Sequence, residues 1–173
     1  LSKGTINFNS DTLNYNVIVD NSVTSITISS TLTDPKSTYV SGYGNREVKL
    51  NVGLNDILIK VKSESGDIKT YTLNVTRKSN INTLKTLKLD NITIDFKPDN
   101  KKYEVTVKTD IDKTKITSTL TDTKSKYVEG FGNREVKLSY GVNTILVKVQ
   151  SEKGNINTYT LVGQRQNSLS WRT

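Results

Sequence analysis

Gly42-Tyr43-Gly44-Asn45-Arg46-Glu47-Val48-Lys49-Leu50 returns 88 positions later as Gly130-Phe131-Gly132-Asn133-Arg134-Glu135-Val136-Lys137-Leu138, and this recurrence decides how the rest of the chain is read. Outward from the block, Thr31-Leu32-Thr33-Asp34 recurs as Thr119-Leu120-Thr121-Asp122, Tyr15 as Tyr103, and Tyr71-Thr72-Leu73 as Tyr159-Thr160-Leu161, without insertion or deletion. About half of the first 77 positions are identical in the second copy. The 173 residues are therefore two copies of one domain. The expected divisions are 1–79 for the first copy, 80–167 for the second and 168–173 for a C-terminal tail, with a polar linker at Arg77–Thr83.

Around the block, apolar and polar residues alternate with a period of two in runs rich in Val, Ile, Thr and Tyr, the pattern of half-buried strands. In the first copy this predicts strands at Tyr15–Val19, Ser25–Leu32, Thr38–Val40, Arg46–Leu50, Asp56–Lys62 and Ile68–Val75, and in the second the same spans shifted by 88. The second copy adds Leu84–Leu89 and a short strand at Ile92–Phe96, the latter matched by Thr5–Phe8 in the first. Turn residues fall between the runs: Pro98-Asp99-Asn100, Val52-Gly53, Tyr140-Gly141 and Ser65-Gly66-Asp67. No segment reads as an amphipathic helix. The expected class is all-β: two tandem immunoglobulin-like antiparallel β-sandwiches of about seven strands each, because each sheet must bury its apolar face against the other. The expected core of the first copy is Val17, Val19, Ile28, Leu32, Val48, Leu50, Ile57, Ile59, Val61, Tyr71, Leu73 and Val75.

Composition removes most reactive chemistry. The chain has no Cys and no His, which excludes disulfides, thiol nucleophiles, thiolate or imidazole metal sites and the commonest general base. No pair of acidic residues is set apart by spacing from ordinary surface charge, so no catalytic residue is expected, and no cofactor either. Asp110-Ile111-Asp112 offers two oxygen ligands, but Ser22 and Thr24 stand at the equivalent positions, so a solvated loop is expected there and no metal. The formal net charge of +8 comes from 25 basic against 17 acidic residues. Its lysines are scattered singly along strands (Lys49, Lys60, Lys62, Lys137, Lys148), as on solvent faces, so no nucleic-acid partner is expected. The chain has no apolar span, which argues against direct membrane insertion. It begins at Leu1 without Met and is read as a fragment of a longer polypeptide; Leu1 aligns with Leu89, so the first copy is expected to lack most of its opening strand and to present an open sheet edge.

The repeated block supplies the candidate ligand-binding residues. Tyr43 or Phe131 could stack on a sugar ring while Asn45 or Asn133 and Arg46 or Arg134 bond its hydroxyls. The structural alternative is that the glycines make a tight turn, the aromatic plugs the end of the sandwich, and the arginine pairs with Asp34 or Glu47. Tyr71 and Tyr159 are expected to pack in the core with their hydroxyls on backbone partners. Trp171, outside the repeat, is a further candidate, either for adding a strand to a neighbouring sheet edge or for packing on its own domain.

The order Tyr15-x-Val17-x-Val19, Gly42-Tyr43-Gly44, Val48-x-Leu50-x-x-Gly53-x-Asn55-x-Ile57-x-Ile59-x-Val61 and Thr70-Tyr71-Thr72-Leu73-x-Val75-x-Arg77 resembles the bacterial cadherin-like β-sandwich domain. The second copy, with its Leu84-x-x-Leu87-x-Leu89 opening, resembles a complete one, although Gly163 and Gln164 replace the expected Val-Thr near its end. The resemblance implies a non-catalytic structural or interaction module, a spacer or adhesion stalk of a bacterial cell-surface or secreted protein, extracellular and from a Gram-positive organism. It transfers no functional residues. The implied partners are other domains of the same polypeptide, then another surface protein or a cell-wall or host glycan. The alternative is a carbohydrate-binding accessory module of an extracellular polysaccharide-processing enzyme.

Overall fold

Period-two alternation becomes strands and no helix in the computed structural model, which describes residues 1–167. Trp171 lies outside the described residues. Contacts divide the chain into two compact units, Leu1–Ser79 and a second beginning at Asn80. The first holds β1 (Asn14–Val19), β2 (Ser25–Ile28), β3 (Thr38–Tyr39), β4 (Arg46–Lys49), β5 (Gly53–Lys62) and β6 (Ile68–Arg77). The second holds β7 (Leu84–Leu89), β8 (Lys102–Val107), β9 (Lys113–Leu120), β10 (Lys126–Tyr127), β11 (Glu135–Lys137), β12 (Gly141–Gln150) and β13 (Ile156–Arg165).

Each unit packs a four-stranded sheet, β1-β6-β5-β3 or β8-β13-β12-β10, against a smaller one, β2-β4 or β7-β9-β11. Pairing is antiparallel except at one place in each unit. There β1 runs parallel to β6, from Asn14 opposite Thr72 to Val19 opposite Arg77, and β8 runs parallel to β13 in the same way. After β1 the chain crosses to the other sheet before returning, so the last strand arrives in the direction of the first rather than folding back from it as in a hairpin.

The cores follow the alternation. In β1, Tyr15, Val17 and Val19 are buried while Asn14, Asn16 and Ile18 are exposed. They meet Ile26, Ile28, Leu50, Ile57, Leu73 and Val75. The short strands expected at Thr5–Phe8 and Ile92–Phe96 are absent; a single bridge, Leu89 to Ile92, is all that pairs there. Side chains rather than a backbone ladder hold these stretches. The Phe8 ring lies 5.9 Å from Tyr15 and 5.8 Å from Tyr71, and the Phe96 ring repeats this at 6.0 Å from Tyr103 and 5.9 Å from Tyr159.

The copies differ most around the end of the second strand. β9 runs to Leu120, but β2 stops at Ile28, four residues short of the expected Leu32, although Ile28-Ser29-Ser30-Thr31-Leu32 and Ile116-Thr117-Ser118-Thr119-Leu120 are nearly the same sequence. In the second unit β7 pairs with that stretch. Ile59, Val61 and Tyr71, expected in the core, are only half-buried, whereas their counterparts Val147, Val149 and Tyr159 are completely enclosed. Leu32 and Val48 are half-buried as well.

Candidate functional site

The repeated block forms a loop leading from β3 into β4 and from β10 into β11. Two glycines shape it for different reasons. Gly42 and Gly130 have φ of +84°, a region that side chains with a Cβ avoid. Gly44 and Gly132 admit the neighbouring ring instead: a Cβ on either would lie 2.9 Å from Cγ of Tyr39 or Tyr127. Backbone bonds close the loop onto β5, with Val40 N–H donating to Lys60 O at 2.9 Å and Lys60 N–H to Tyr43 O at 3.1 Å.

The arginine and asparagine of each block bond within the loop and to its neighbours. Arg46 donates from Nη1 to Gly44 O at 2.8 Å and from Nη2 to Leu58 O at 2.7 Å; Arg134 does the same to Gly132 O and Leu146 O, both at 2.8 Å. The arginines thus bind backbone carbonyls where the sequence suggested Asp34 or Glu47. Burial lowers the pKa of Arg134 from the ordinary arginine value, yet a guanidinium stays charged in proteins and holds its carbonyls as a cation.

Asn45 accepts from Ser30 N–H at 2.8 Å and returns its Nδ2 to Ser30 O at 3.0 Å, and the Tyr39 hydroxyl lies 2.7 Å from Ser30 Oγ. Asn133, Ser118 and Tyr127 repeat the arrangement, with Asn133 Nδ2 reaching Ser118 O at 3.1 Å and Tyr127 Oη 2.7 Å from Ser118 Oγ. The half-buried Tyr43 ring has Lys60 Nζ at 4.5 Å and Arg46 Cζ at 6.0 Å from its centre; Phe131 has Lys148 at 4.4 Å and Arg134 at 5.9 Å. Such cations attract the ring quadrupole. The site therefore brings all six predicted loop residues into two equivalent clusters, each of which fastens a turn.

Other fastenings were less legible. Tyr71 Oη donates to Ser10 O at 2.9 Å and Tyr159 Oη to Pro98 O at 2.7 Å, the backbone partners expected of both hydroxyls, although only Tyr159 is fully packed in the core. The Gly-x-Asn spacing hides a clamp: Asn55 Nδ2 reaches Asn51 O at 2.9 Å and Val75 O at 3.2 Å, with Asn143 doing likewise to Ser139 O and Gly163 O. The signal was present in both copies, but asparagine near glycine reads first as a turn residue. Among the described residues, no group of three or more Asp or Glu side chains is placed to hold a metal ion.

The family model of the "Cadherin-like beta sandwich domain" matches residues 1–78 and again 84–166. A protein of Evansella cellulosilytica with the name "Putative membrane protein" is 39% identical over 87 residues, which is 45% of this chain and 13% of that protein. The chain thus spans about an eighth of that relative's length. Among solved structures, the protocadherin fragment PcdhgB3 EC1-4 aligns over 91% of this chain and 50% of its own, with a TM-score of 0.41 and 9% identity. The fibronectin(III)-like modules of Clostridium thermocellum CbhA align over 93% of this chain and 94% of their own, with a TM-score of 0.29 and 12% identity.

Proposed function

This chain belongs to the cadherin-like beta sandwich domain family, with one copy in each half, and from that premise we propose that it is a non-catalytic spacer and interaction module of a bacterial cell-surface or secreted protein. Its partners are the adjoining domains of the same polypeptide. A surface location is supported by the family and by the membrane-protein name of the Evansella relative.

The observation that carries the reading is the parallel pairing of β1 with β6 and of β8 with β13. Tension that enters β1 at its start and leaves β6 at its end draws the two strands past each other along their length. The pairs from Asn14–Thr72 to Val19–Arg77 then share the load, whereas a hairpin pulled open at its free ends loses its bonds one by one. A spacer needs that property. Stretching single molecules of the whole chain should give two separate unfolding steps, and replacing Val17 by Pro, which removes a rung donor from β1, should weaken only one of them. A chain that extends gradually at low force would refute the load-bearing role.

The carbohydrate-binding reading draws on the aromatic rings of Tyr43 and Phe131, which are half-exposed. Against it, the arginine and asparagine groups that would bond a sugar are already committed to backbone carbonyls and to Ser30 or Ser118. Saturable binding to cell-wall glycans that Tyr43→Ala and Phe131→Ala abolish would reverse the preference.

A further inference from the structure

Each four-stranded sheet ends on the strand that runs parallel to its neighbour, β1 in the first unit and β8 in the second. The two ends are built differently. In the first unit Thr72 N–H donates to Leu13 O at 2.7 Å and Lys78 N–H to Val19 O at 3.0 Å. The N–H and C=O of one strand residue point to the same side, so these bonds fix the alternation. Tyr15, Val17 and Val19 face β6, and the backbone groups of Asn14, Asn16 and Ile18 lie on the free side. Among the described residues no hydrogen bond reaches those groups. The edge does not arise from a missing neighbour, since β8 ends its sheet in the same way while β7 lies in the other sheet.

An exposed row of unpaired N–H and C=O groups is a template for a further strand, and charged side chains are a common guard against it. β8 has that guard in Lys102 and Glu104, both exposed. At the same places β1 carries the uncharged Asn14 and Asn16, followed by Ile18, which is 67% exposed where β8 has Thr106. The register continues this row inward: Ile18 stands beside Thr76, and Thr76 beside Leu54, itself 64% exposed. One row along, Asn74 Nδ2 donates to Asn16 Oδ1 at 3.2 Å. That bond leaves the Asn16 amide with its own two N–H donors and a second lone pair on its oxygen.

We propose that β1 is a self-association edge and that its occupant is β1 of a second copy of this chain, antiparallel across a two-fold axis through Asn16. The three free residues are symmetric about Asn16. Asn14 therefore pairs with Ile18 of the second copy, Asn16 with its equivalent and Ile18 with Asn14, giving about six main-chain bonds. At the axis each Asn16 amide donates to the other's oxygen, extending the Asn74–Asn16 bond into a ladder of asparagines. No charge meets its like there, whereas β8 paired with itself in this way would set Glu104 against Glu104. An unrelated strand would have to match both the central amide and the register; a second copy does so by symmetry. Six residues a side bury less than the roughly 1,200 Å² of the smallest stable complexes. The pairing is thus weak in dilute solution and strengthens where molecules are held side by side at high effective concentration. It does not depend on the spacer reading.

The test is sedimentation equilibrium of the whole chain from micromolar to millimolar concentration, with amide hydrogen exchange at both extremes. The expected result is a mass that rises from 19.3 kDa towards twice that and no further, because each copy carries one such edge. Exchange at Asn14, Asn16 and Ile18 should slow at the higher concentration. Asn16→Glu places two carboxylates at the axis and Asn16→Lys two ammonium groups. Each variant should sediment as a monomer with little change in the first unit's melting transition, since the side chain is exposed. Mixed, the two should dimerise again, a rescue that a misfolded edge would not give. Glu104→Lys on β8 should leave association unaltered. A chain that stays monomeric at millimolar concentration overturns the proposal. So do association that survives Asn16→Glu, a mixture of the two variants that stays monomeric, loss of association in Glu104→Lys, protection confined to other residues, or species larger than a dimer.

Discussion

Leu84→Ala tests whether the two near-identical units stand on separate cores. The Leu84 side chain is completely buried and belongs to the cluster of Leu87, Ile116, Val147, Val149, Tyr159 and Leu161. Truncation removes three heavy atoms and leaves a void bounded by strands of both sheets, where β12 and β13 are held in a ladder running from Gly141–Arg165 to Gln150–Ile156 and cannot close in freely. Buried Leu→Ala changes cost about 2–5 kcal/mol, and a fully enclosed site with limited collapse costs at least about 3. The backbone bond from Leu84 N–H to Tyr159 is retained, so no hydrogen-bond penalty is added. For a domain of this size each kcal/mol shifts the melting temperature by about 4–8 °C, so the second unit should melt about 12 °C or more below its original transition. Calorimetry of the whole chain, combined with hydrogen exchange read separately at Gly53–Lys62 and Gly141–Gln150, assigns the loss. Destabilisation confined to the second span is the expected result. If both spans lose protection together, or if the transition moves by less than about 3 °C, the assignment of Leu84 to a separate and tightly filled core is wrong.

Gly44→Ala should cost about 1–3 kcal/mol by denaturant melting, because the new methyl meets the Tyr39 ring at 2.9 Å and that ring is held by Ser30. Gly42→Ala meets nothing, so its smaller loss of about 1 kcal/mol should come from the backbone alone. Burial raises the pKa of Tyr159, opposed in part by the Leu84 N–H. The neutral phenol is therefore favoured in the fold, and its contribution is whole below the unfolded tyrosine value near 10 and lost as pH climbs through the raised folded value. Stability of the second unit should accordingly fall above about pH 10, with tyrosinate absorbance lagging that of free tyrosine; a flat profile would contradict it. Breaking the exposed Lys36–Glu64 pair, 3.9 Å apart, with Lys36→Ala should change stability by less than about 0.5 kcal/mol at physiological salt.

Much of this was legible before any coordinates. Alternation along Asp56-Ile57-Leu58-Ile59-Lys60-Val61-Lys62 marks a strand because side chains on a pleated backbone point to opposite faces. The recurring Gly42–Leu50 block announced two equivalent loops. Its role was less accessible. Arginine next to Glu47, with Asp34 in the same repeated stretch, suggests an ion pair, but carbonyls of Gly44 and Leu58 hold the guanidinium instead, and Leu58 is on another strand. Likewise nothing in the spelling of Gly44 tells that Tyr39 lies over it, since the two meet only when the loop folds back on β3.

The sequence by itself determined the class of fold, the duplication, the alternating inward residues and the lack of thiol and imidazole chemistry, because each of these depends on composition or on local backbone periodicity. Tertiary structure decided the parallel joining of first and last long strands and the fate of Ser29–Leu32. That stretch and Thr117–Leu120 differ at a single position, Ser29 against Thr117, yet only the second is a strand. A strand is a paired state. β7 supplies the partner backbone and the leucines that cover Val147, Val149 and Tyr159.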